Sequence, residues 1–416
     1  MHIKELHTLF IKSSGVTIDS RQVKLNNIFF ALKGKNFDGN KYAESAIKKG
    51  ASFAVVDDEK YFLNEKYILV DDVLSCLQEL SKFHRKQLNC YVLGITGTNG
   101  KTTTKELITA VIKKKFITVA TQGNFNNHIG VPLTLLRAKL NTEFLIIEMG
   151  ANHINEIEFL CGIAQINYGV ITNIGKAHLE GFGSVEGVIK AKKELYDYVN
   201  INNGILFVNS NDKLLMSISQ KTERILYNTK KQEQINTPHA KVIFNNLLIS
   251  SKLIGSYNRS NILAACKIGH YFGVSLEKIK EAIENYCPTN NRSQLLKTSH
   301  NSIVLDAYNA NPSSMIEAIR AFRKVKNDNK LYILGDMLEL GENSISEHQT
   351  IIDELSKYNQ EVILVGKEFN KCKHNFTHFF NTEDAHVWIE KNPIKDMYIL
   401  LKGSRGIKLE KLKEVL

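Results

Sequence analysis

The sequence predicts an α/β protein of three domains: a small N-terminal α/β domain, a central parallel-sheet domain of mononucleotide-binding type, and a C-terminal Rossmann-like domain. Three observations carry this prediction. Short apolar runs such as Phe144-Leu145-Ile146-Ile147 and Leu331-Tyr332-Ile333-Leu334 recur along the chain, as expected of strands covered on both faces. Helical segments alternate with them, which is the mark of βαβ units. One of the runs also ends in a glycine-rich turn that opens a helix.

At roughly 100–200 residues per domain, a chain of 416 residues has room for two to four domains. Hydrophobic residues make up 43% and charged residues 23%, ample for several cores. No stretch approaches the ~20 apolar residues that span a bilayer. The start, Met1-His2-Ile3-Lys4-Glu5, does not read as a signal peptide. The expectation is a cytoplasmic protein, not inserted in a membrane, that acts as a monomer. The six cysteines form no Cys-x-x-Cys pair, so they read as reduced, structural thiols. The net charge is +11, but the lysines are scattered in runs no longer than Lys113-Lys114-Lys115. That pattern suits a cleft for a multiply anionic small substrate better than a nucleic-acid face, and no nucleic-acid partner is expected.

In the N-terminal domain, taken as residues 1–89, strands are expected at 27–32, 52–56 and 67–70. A helix at 41–49 closes at Gly50, and an amphipathic helix covers 73–87. The central domain, 90–290, opens with a strand at 90–95 and a helix at 101–115. Further strands follow at 144–148, 168–172, 204–208 and 224–227. The C-terminal domain, 291–416, repeats the alternation with strands at 302–306, 330–334, 361–365 and 397–401. With only 5 prolines and no low-complexity linker to mark a boundary, it is inferred from the strand–helix pattern and is expected near Pro288 to Arg292.

The glycine-rich turn reads Gly94-Ile95-Thr96-Gly97-Thr98-Asn99-Gly100-Lys101-Thr102-Thr103-Thr104. A strand, a flexible turn and a helix N-terminus together suit nucleotide phosphates, because backbone N–H groups and the helix dipole converge on the anion. Gly97, Thr98, Asn99, Gly100, Lys101, Thr102 and Thr103 are thus candidate ATP contacts. Lys101 would reach the outer phosphates and the Thr102 hydroxyl would ligate Mg²⁺. The general phosphate-loop pattern places a glycine six positions before the lysine, and here that position is Ile95.

The variant Thr-Gly-Thr-Asn-Gly-Lys-Thr-Thr resembles the loop of the Mur ligase and folylpolyglutamate synthase superfamily. Six later segments, in order, narrow the resemblance to its MurF branch: Gly123 to Pro132, Glu148 to His153, Ala177 to Gly183, Asp306 to Met315, Gly335 to Gly341, and Lys402-Gly403-Ser404-Arg405. It runs from about Asp19-Ser20-Arg21 to the C-terminus. It implies an ATP- and Mg²⁺-dependent ligase joining D-alanyl-D-alanine to UDP-N-acetylmuramoyl-tripeptide, with these two as substrates.

The resemblance also assigns residues. Glu148 and His178 would bind Mg²⁺ beside Thr102. A lysine in Lys190-Ala191-Lys192-Lys193 would carry CO₂ as a carbamate, a cation converted to a carboxylate-like ligand. The match places it at Lys192, with Lys190 and Lys193 as neighbouring registers. Lys101, Glu148, His178 and Lys192 then form the catalytic set. Asn261 would contact the nucleotide near adenine, and Arg292 and Asp306 would close on its phosphates and ribose. Ser20 and Arg21 would hold the UDP-sugar. Asn124, Asn126 and Asn127 would face substrate, and Asn309, Asn311 and the terminal Lys402-Gly403-Ser404-Arg405 would face the incoming peptide or the closed cleft.

Several of these residues have plainer readings. Asn258 suits a helix N-cap, Asn-Ala-Asn-Pro and Asp-Ser-Arg suit turns, and Asp38-Gly39 suits a hairpin. Another acceptor, or a nucleotide-binding protein that only hydrolyses ATP, are the alternative functions. The third residue of the tripeptide, lysine or diaminopimelate, is not encoded in any of these motifs.

Overall fold

The computed structural model describes residues 2–176, 179–228, 239–325, 327 and 329–416. It is a three-domain α/β architecture, and each domain is built around its own sheet.

The first domain begins with a helix that the sequence reading left unassigned, α1 (Ile3–Lys12), capped by His2 and Glu5 in a reciprocal box. Strands β1 (Val16–Thr17), β2 (Ile28–Phe30), β5 (Phe53–Val56) and β6 (Tyr67–Leu69) pair in parallel in that order. Between β2 and β5, β3 (Lys33–Gly34) and β4 (Phe37–Asp38) form a short hairpin, followed by α2 (Ala43–Lys48). The hairpin turns at Lys35-Asn36. Asp38-Gly39 instead ends it, with the Asp38 carboxylate capping the next turn. Helix α3 (Val73–Gln87) completes the domain.

The central sheet runs β12-β11-β10-β7-β9-β8, all parallel. Its strands are β7 (Tyr91–Thr96), β8 (Thr118–Ala120), β9 (Phe144–Glu148), β10 (Tyr168–Ile171), β11 (Ile205–Asn209) and β12 (Glu223–Tyr227). Alternate residues feed two cores. Leu93, Ile95, Phe144 and Ile146 face α4 (Lys101–Ile112), α10 (Asn258–Tyr271) and α11 (Leu276–Asn285). Val92, Leu145 and Ile147 face α5 (Gly130–Leu135), α6 (Glu156–Ala164) and α8 (Val185–Ile201). Short helices α7 (Leu179–Phe182) and α9 (Lys213–Ile218) fill connections. The chain leaves β7 for β9 and β8 on one side and adds β10 to β12 on the other. The end of β7 is therefore the switch point where ligands of such sheets sit.

One element departs from strand–helix alternation. Strands β13 (His239–Phe244) and β14 (Leu247–Ile254) form an antiparallel hairpin turned by Asn245 and Asn246, both left-handed at φ 46 and 65. Asn-Asn between two apolar runs is the signal for it.

The C-terminal sheet runs β15-β16-β20-β17-β18-β19. It comprises β15 (Gln294–Lys297), β16 (Ser302–Asp306), β17 (Lys330–Gly335), β18 (Glu361–Val365), β19 (Thr377–Phe379) and β20 (Tyr398–Lys402). Helices α12 (Pro312–Arg323), α13 (Ser344–Ser356), α14 (Lys367–Asn370) and α15 (Thr382–Lys391) cover it. All pairs are parallel except β15 with β16, an antiparallel edge absent from the sequence expectation.

The first two domains are firmly joined through α3. Leu133 and Leu136 of the α5 region enter the same core as Leu77 and Leu80. Buried Arg85 donates to the carbonyls of Ala164 (3.1 Å), Leu88 (3.0 Å) and Gln165 (3.3 Å), and His84 Nε2 lies 2.9 Å from the Ala138 carbonyl. Polar contacts join the C-terminal domain to the central one: Lys176 with Glu347 at 2.8 Å, and a set around Asn99 described next.

Candidate active site

A cleft of about 870 Å³ opens between the central and C-terminal domains, over the end of β7. The glycine-rich loop forms its floor. Gly100 is left-handed at φ 78, and a Cβ there would lie 2.8 Å from Asn261 Oδ1, so only glycine fits. The neighbouring strand holds the loop. Thr172 Oγ1 and Asn173 Nδ2 donate to the Asn99 carbonyl at 2.6 and 3.0 Å, and the Asn99 amide donates to Asn173 Oδ1 at 3.0 Å. Sequence reasoning missed Thr172 and Asn173. Their only signal is a pair of polar residues at the end of an apolar strand.

Lys101 starts α4, and its Nζ donates to the loop's own carbonyls, Gly97 at 2.6 Å and Thr98 at 3.1 Å. Burial lowers its pKa to about 8, with Glu148 opposing the shift and Arg292 adding to it. One residue on, Thr102 Oγ1 donates to Glu148 Oε1 at 3.1 Å, and Asn126 Nδ2 donates to the same oxygen at 2.9 Å. Glu148 is 1% exposed. Its second oxygen, Oε2, is buried and has no partner among the described residues. A carboxylate oxygen left bare inside a protein is costly, and with the Thr102 hydroxyl on the same carboxylate it suits a hard divalent cation. His178 lies outside the described residues.

The three lysines of α8 separate clearly. Lys190 is exposed, Lys193 pairs with Asp197, and Lys192 is 2% exposed. The Lys192 ammonium stands 5.5 Å from the centre of the Phe182 ring. Burial lowers its pKa to about 7 and the nearby charge of Lys101 adds to this, while Glu194 and Glu156 oppose it. Glu194 also fixes the helix opposite. Its two oxygens accept from the backbone of Asn155 (2.7 Å) and Glu158 (3.1 Å) at the start of α6.

The other asparagines divide. Asn124, Asn126 and Asn127 line the cleft, and Asn127 Oδ1 also accepts from Ile129 and Gly130 at the start of α5. Asn258 is not the N-cap of α10, which is Tyr257. It is buried, donating to the Ile254 carbonyl at 2.8 Å and accepting from Asn261 at 3.0 Å.

On the C-terminal wall, Arg292 stacks over the Tyr308 ring at 3.9 Å and Arg405 stands 5.5 Å from the same ring centre. Tyr308 lies within the Asp306 to Met315 stretch, where the sequence suggested no role for it. Asp306 accepts from Lys402 Nζ at 2.6 Å and from the Ser293 amide at 3.1 Å. Asn309 Oδ1 accepts from the Ala310 amide at 2.9 Å. Asn311 caps α12 through Ser314 and also crosses the cleft, donating from Nδ2 to Asn99 Oδ1 at 2.8 Å. Asn99 Nδ2 in turn donates to Ser313 Oγ at 3.0 Å. The loop and the N-terminus of α12 are thus directly bonded.

Ser20 and Arg21 lie on the N-terminal domain and do not line this cleft. Arg21 pairs with Asp19 at 2.8 Å, which holds that carboxyl well below its ordinary range. The Ser20 carbonyl accepts from Lys49 at 2.9 Å.

Family models match three segments: residues 12–85 ("Mur ligase family, catalytic domain"), 95–269 ("Mur ligase middle domain") and 291–405 ("Mur ligase, glutamate ligase domain"). A Bacillus subtilis (strain 168) protein named UDP-N-acetylmuramoyl-tripeptide–D-alanyl-D-alanine ligase is 34% identical, over 96% of this chain and 92% of its own. One of the same name from Haemophilus influenzae is 34% identical, over 95% and 92%. Among solved structures, MurF from Acinetobacter baumannii superposes with a TM-score of 0.84 at 27% identity, covering 96% of this chain and 92% of its own. MurF from Thermotoga maritima in complex with ADP gives 0.85 at 25%, covering 98% and 97%.

Proposed function

The chain belongs to the MurF family of Mur ligases, and from that premise we propose how its residues divide the work of the reaction. The enzyme is an ATP-dependent ligase of peptidoglycan precursor synthesis. It joins D-alanyl-D-alanine to the terminal carboxylate of UDP-N-acetylmuramoyl-tripeptide. That carboxylate attacks the γ-phosphorus of ATP, giving ADP and an acyl phosphate. The acceptor amine then attacks the acyl carbon and phosphate leaves, yielding the pentapeptide.

In our assignment the loop amides from Gly97 to Thr103 cradle the phosphates. Lys101 turns from its own loop carbonyls to the γ-phosphoryl group, where its charge offsets that of the transferring oxygens. The bare Glu148 oxygen, with the Thr102 hydroxyl close by, carries this reading: the pair would hold Mg²⁺, with His178 and a carbamylated Lys192 completing the shell. Bound there, the cation would screen the two anions that must meet. Burial of Lys192, which leaves much of its amine neutral near pH 7, supports that register over Lys190 or Lys193, since CO₂ adds only to the neutral form. Asn261 takes the nucleotide on the α10 side, Arg292 and Asp306 on the C-terminal side. Asn124, Asn126, Asn127, Asn309 and Asn311 line the path of the peptide substrates, and Ser20 and Arg21 hold the UDP end.

We divide the domains at 89/90 and 290/291. Closure of the third over the second excludes water from the acyl phosphate. In our reading the enzyme acts as a monomer, and its reaction belongs to the cytoplasm, where ATP is available. No helix among the described residues is long and apolar enough to cross a membrane.

The test is mass spectrometry of products from ATP, D-alanyl-D-alanine and each tripeptide, lysine- or diaminopimelate-containing. ADP release should require the dipeptide amine. Lys101→Ala should lower kcat by about 10²–10³-fold, as removal of a transition-state charge partner does. Full turnover in that variant would remove the loop from the chemistry.

A further inference from the structure

Five lysine and arginine side chains line the cleft among the described residues. Lys101 sits on the phosphate loop. Arg259 stands at the start of α10, on the central-domain side. Arg292 lies close enough to the loop for its charge to act on Lys101. Lys402 is 2% exposed and neutralised by Asp306 at 2.6 Å. Arg405 is different. It is exposed and forms no ion pair among the described residues, although its guanidinium stands 5.5 Å from the centre of the Tyr308 ring.

The base under Arg405 is rigid. Ser404 is 2% exposed. Its amide donates to the Asp336 carbonyl at 3.0 Å, and its hydroxyl accepts from the Leu338 amide at 3.0 Å. The loops after β20 and β17 are therefore stitched together just where Arg405 leaves the backbone. Asp336 is itself fixed, accepting from the amides of Glu368 (2.8 Å) and Phe369 (3.0 Å). A guanidinium on a fixed stem, against an aromatic ring and without a carboxylate of its own, is prepared for an anion that arrives with substrate.

We propose that Arg405, steadied by Tyr308, binds the terminal carboxylate of the acceptor dipeptide. This rests on the acceptor assigned above. The acceptor amine must enter the reaction neutral, so its carboxylate is the one full charge by which the cleft can hold it. The guanidinium can meet that group through two parallel N–H···O bonds. A cation on the C-terminal wall also ties acceptor binding to the domain that closes.

The experiment uses the full-length enzyme with D-alanyl-D-alanine and with its C-terminal carboxamide, comparing wild type, Arg405→Met and Arg405→Lys. Wild type should prefer the acid over the amide by about 10- to 100-fold in kcat/KM, the range for a hydrogen bond to a charged group. Arg405→Met should raise the KM for the dipeptide by a similar factor, leave the KM for ATP and for the UDP-tripeptide unchanged, and treat acid and amide alike. Arg405→Lys should fall between. The acid-to-amide ratio is independent of how much enzyme is folded, so an unstable variant still reports. A preserved ratio in Arg405→Met, or a rise in the KM for ATP instead, would overturn the proposal alone. A wild-type enzyme that makes no pentapeptide from D-alanyl-D-alanine would sink the acceptor assignment and this proposal with it.

Discussion

Lys192 lies on the apolar stripe of α8, between Val188, Leu195 and Val199, all buried. Spacings of four, three and four along a helix define one face, a pattern that separates Lys192 from Lys190 and Lys193 but that the reading of the stretch as an exposed basic helix did not use. The resemblance alone does not separate them, because it aligns a motif and ignores which side of the helix faces in. Burial holds this lysine at about 7 when folded against 10.5 when free. Below pH 7 both states are charged and the folded state bears the full cost of a buried cation. That cost fades as pH rises from 7 toward 10.5. Lys192→Met should abolish ligation, yet in enzyme stripped of CO₂, where the amine carries no carbamate, it should stabilise the fold by about 2 kcal/mol or more near pH 6. The gain should shrink by pH 10, as read by chemical denaturation at the two pH values. A loss of stability at pH 6 would mean that the amine has a favourable partner.

Between elements, α12 carries two tasks that the sequence showed as one. Asn-Ala-Asn-Pro reads as a turn, and Asn311 is indeed a cap, but its amide also reaches Asn99 on the nucleotide loop. No local pattern encodes a contact between residues 212 positions apart. Ser313→Ala removes the acceptor for Asn99 Nδ2 and the hydroxyl's own bond to Asn311 Oδ1 at 3.0 Å, while the Ser314 amide still bonds the capping oxygen. At about 1 kcal/mol for a neutral hydrogen bond, the closed-to-open ratio should fall roughly fivefold. Small-angle scattering of the nucleotide-bound enzyme should then show a larger radius of gyration; an unchanged radius would mean that the bond does not hold the domains. The helix pair α12–α13 offers a second check. Glu354 accepts from Arg320 at 2.8 Å and pairs with Lys357 at 2.6 Å. These partners hold its carboxyl at about 2. The folded value is below the free one, so the contribution is present above about pH 4.5 and is lost as pH falls toward 2. Glu354→Gln should lower stability at pH 6 and leave it unchanged at pH 2, measured by denaturant titration.

For the molecule as a whole, three sheets and most central and C-terminal strands were legible, because buried parallel strands are long apolar runs. Helix α1, the Asn-Asn hairpin and the antiparallel edge β15 were not read. Helix α1 and strand β15 are short or mixed in polarity, and β15 pairs according to what it meets in space; the hairpin carried a local signal in Asn245-Asn246 that the reading passed over. The site was legible at the loop and at Glu148, whose motifs are contiguous. It was not legible at Thr172, Asn173 and Tyr308, which take their roles from neighbours.

The two joints between domains differ in kind. One is a shared apolar core sealed by the Arg85 guanidinium on three backbone carbonyls; the other rests largely on polar bonds that a nucleotide or a peptide can exchange. Heat should expose that difference. Differential scanning calorimetry should resolve two endotherms, one for the first two domains melting as a single cooperative unit and one for the third. ATP analogues should draw the two peaks together by linking the halves. Arg85→Met should split the first endotherm in turn. A protease acting on the native enzyme would then cut first near the segment before Arg292, releasing the acceptor-binding third of the protein intact.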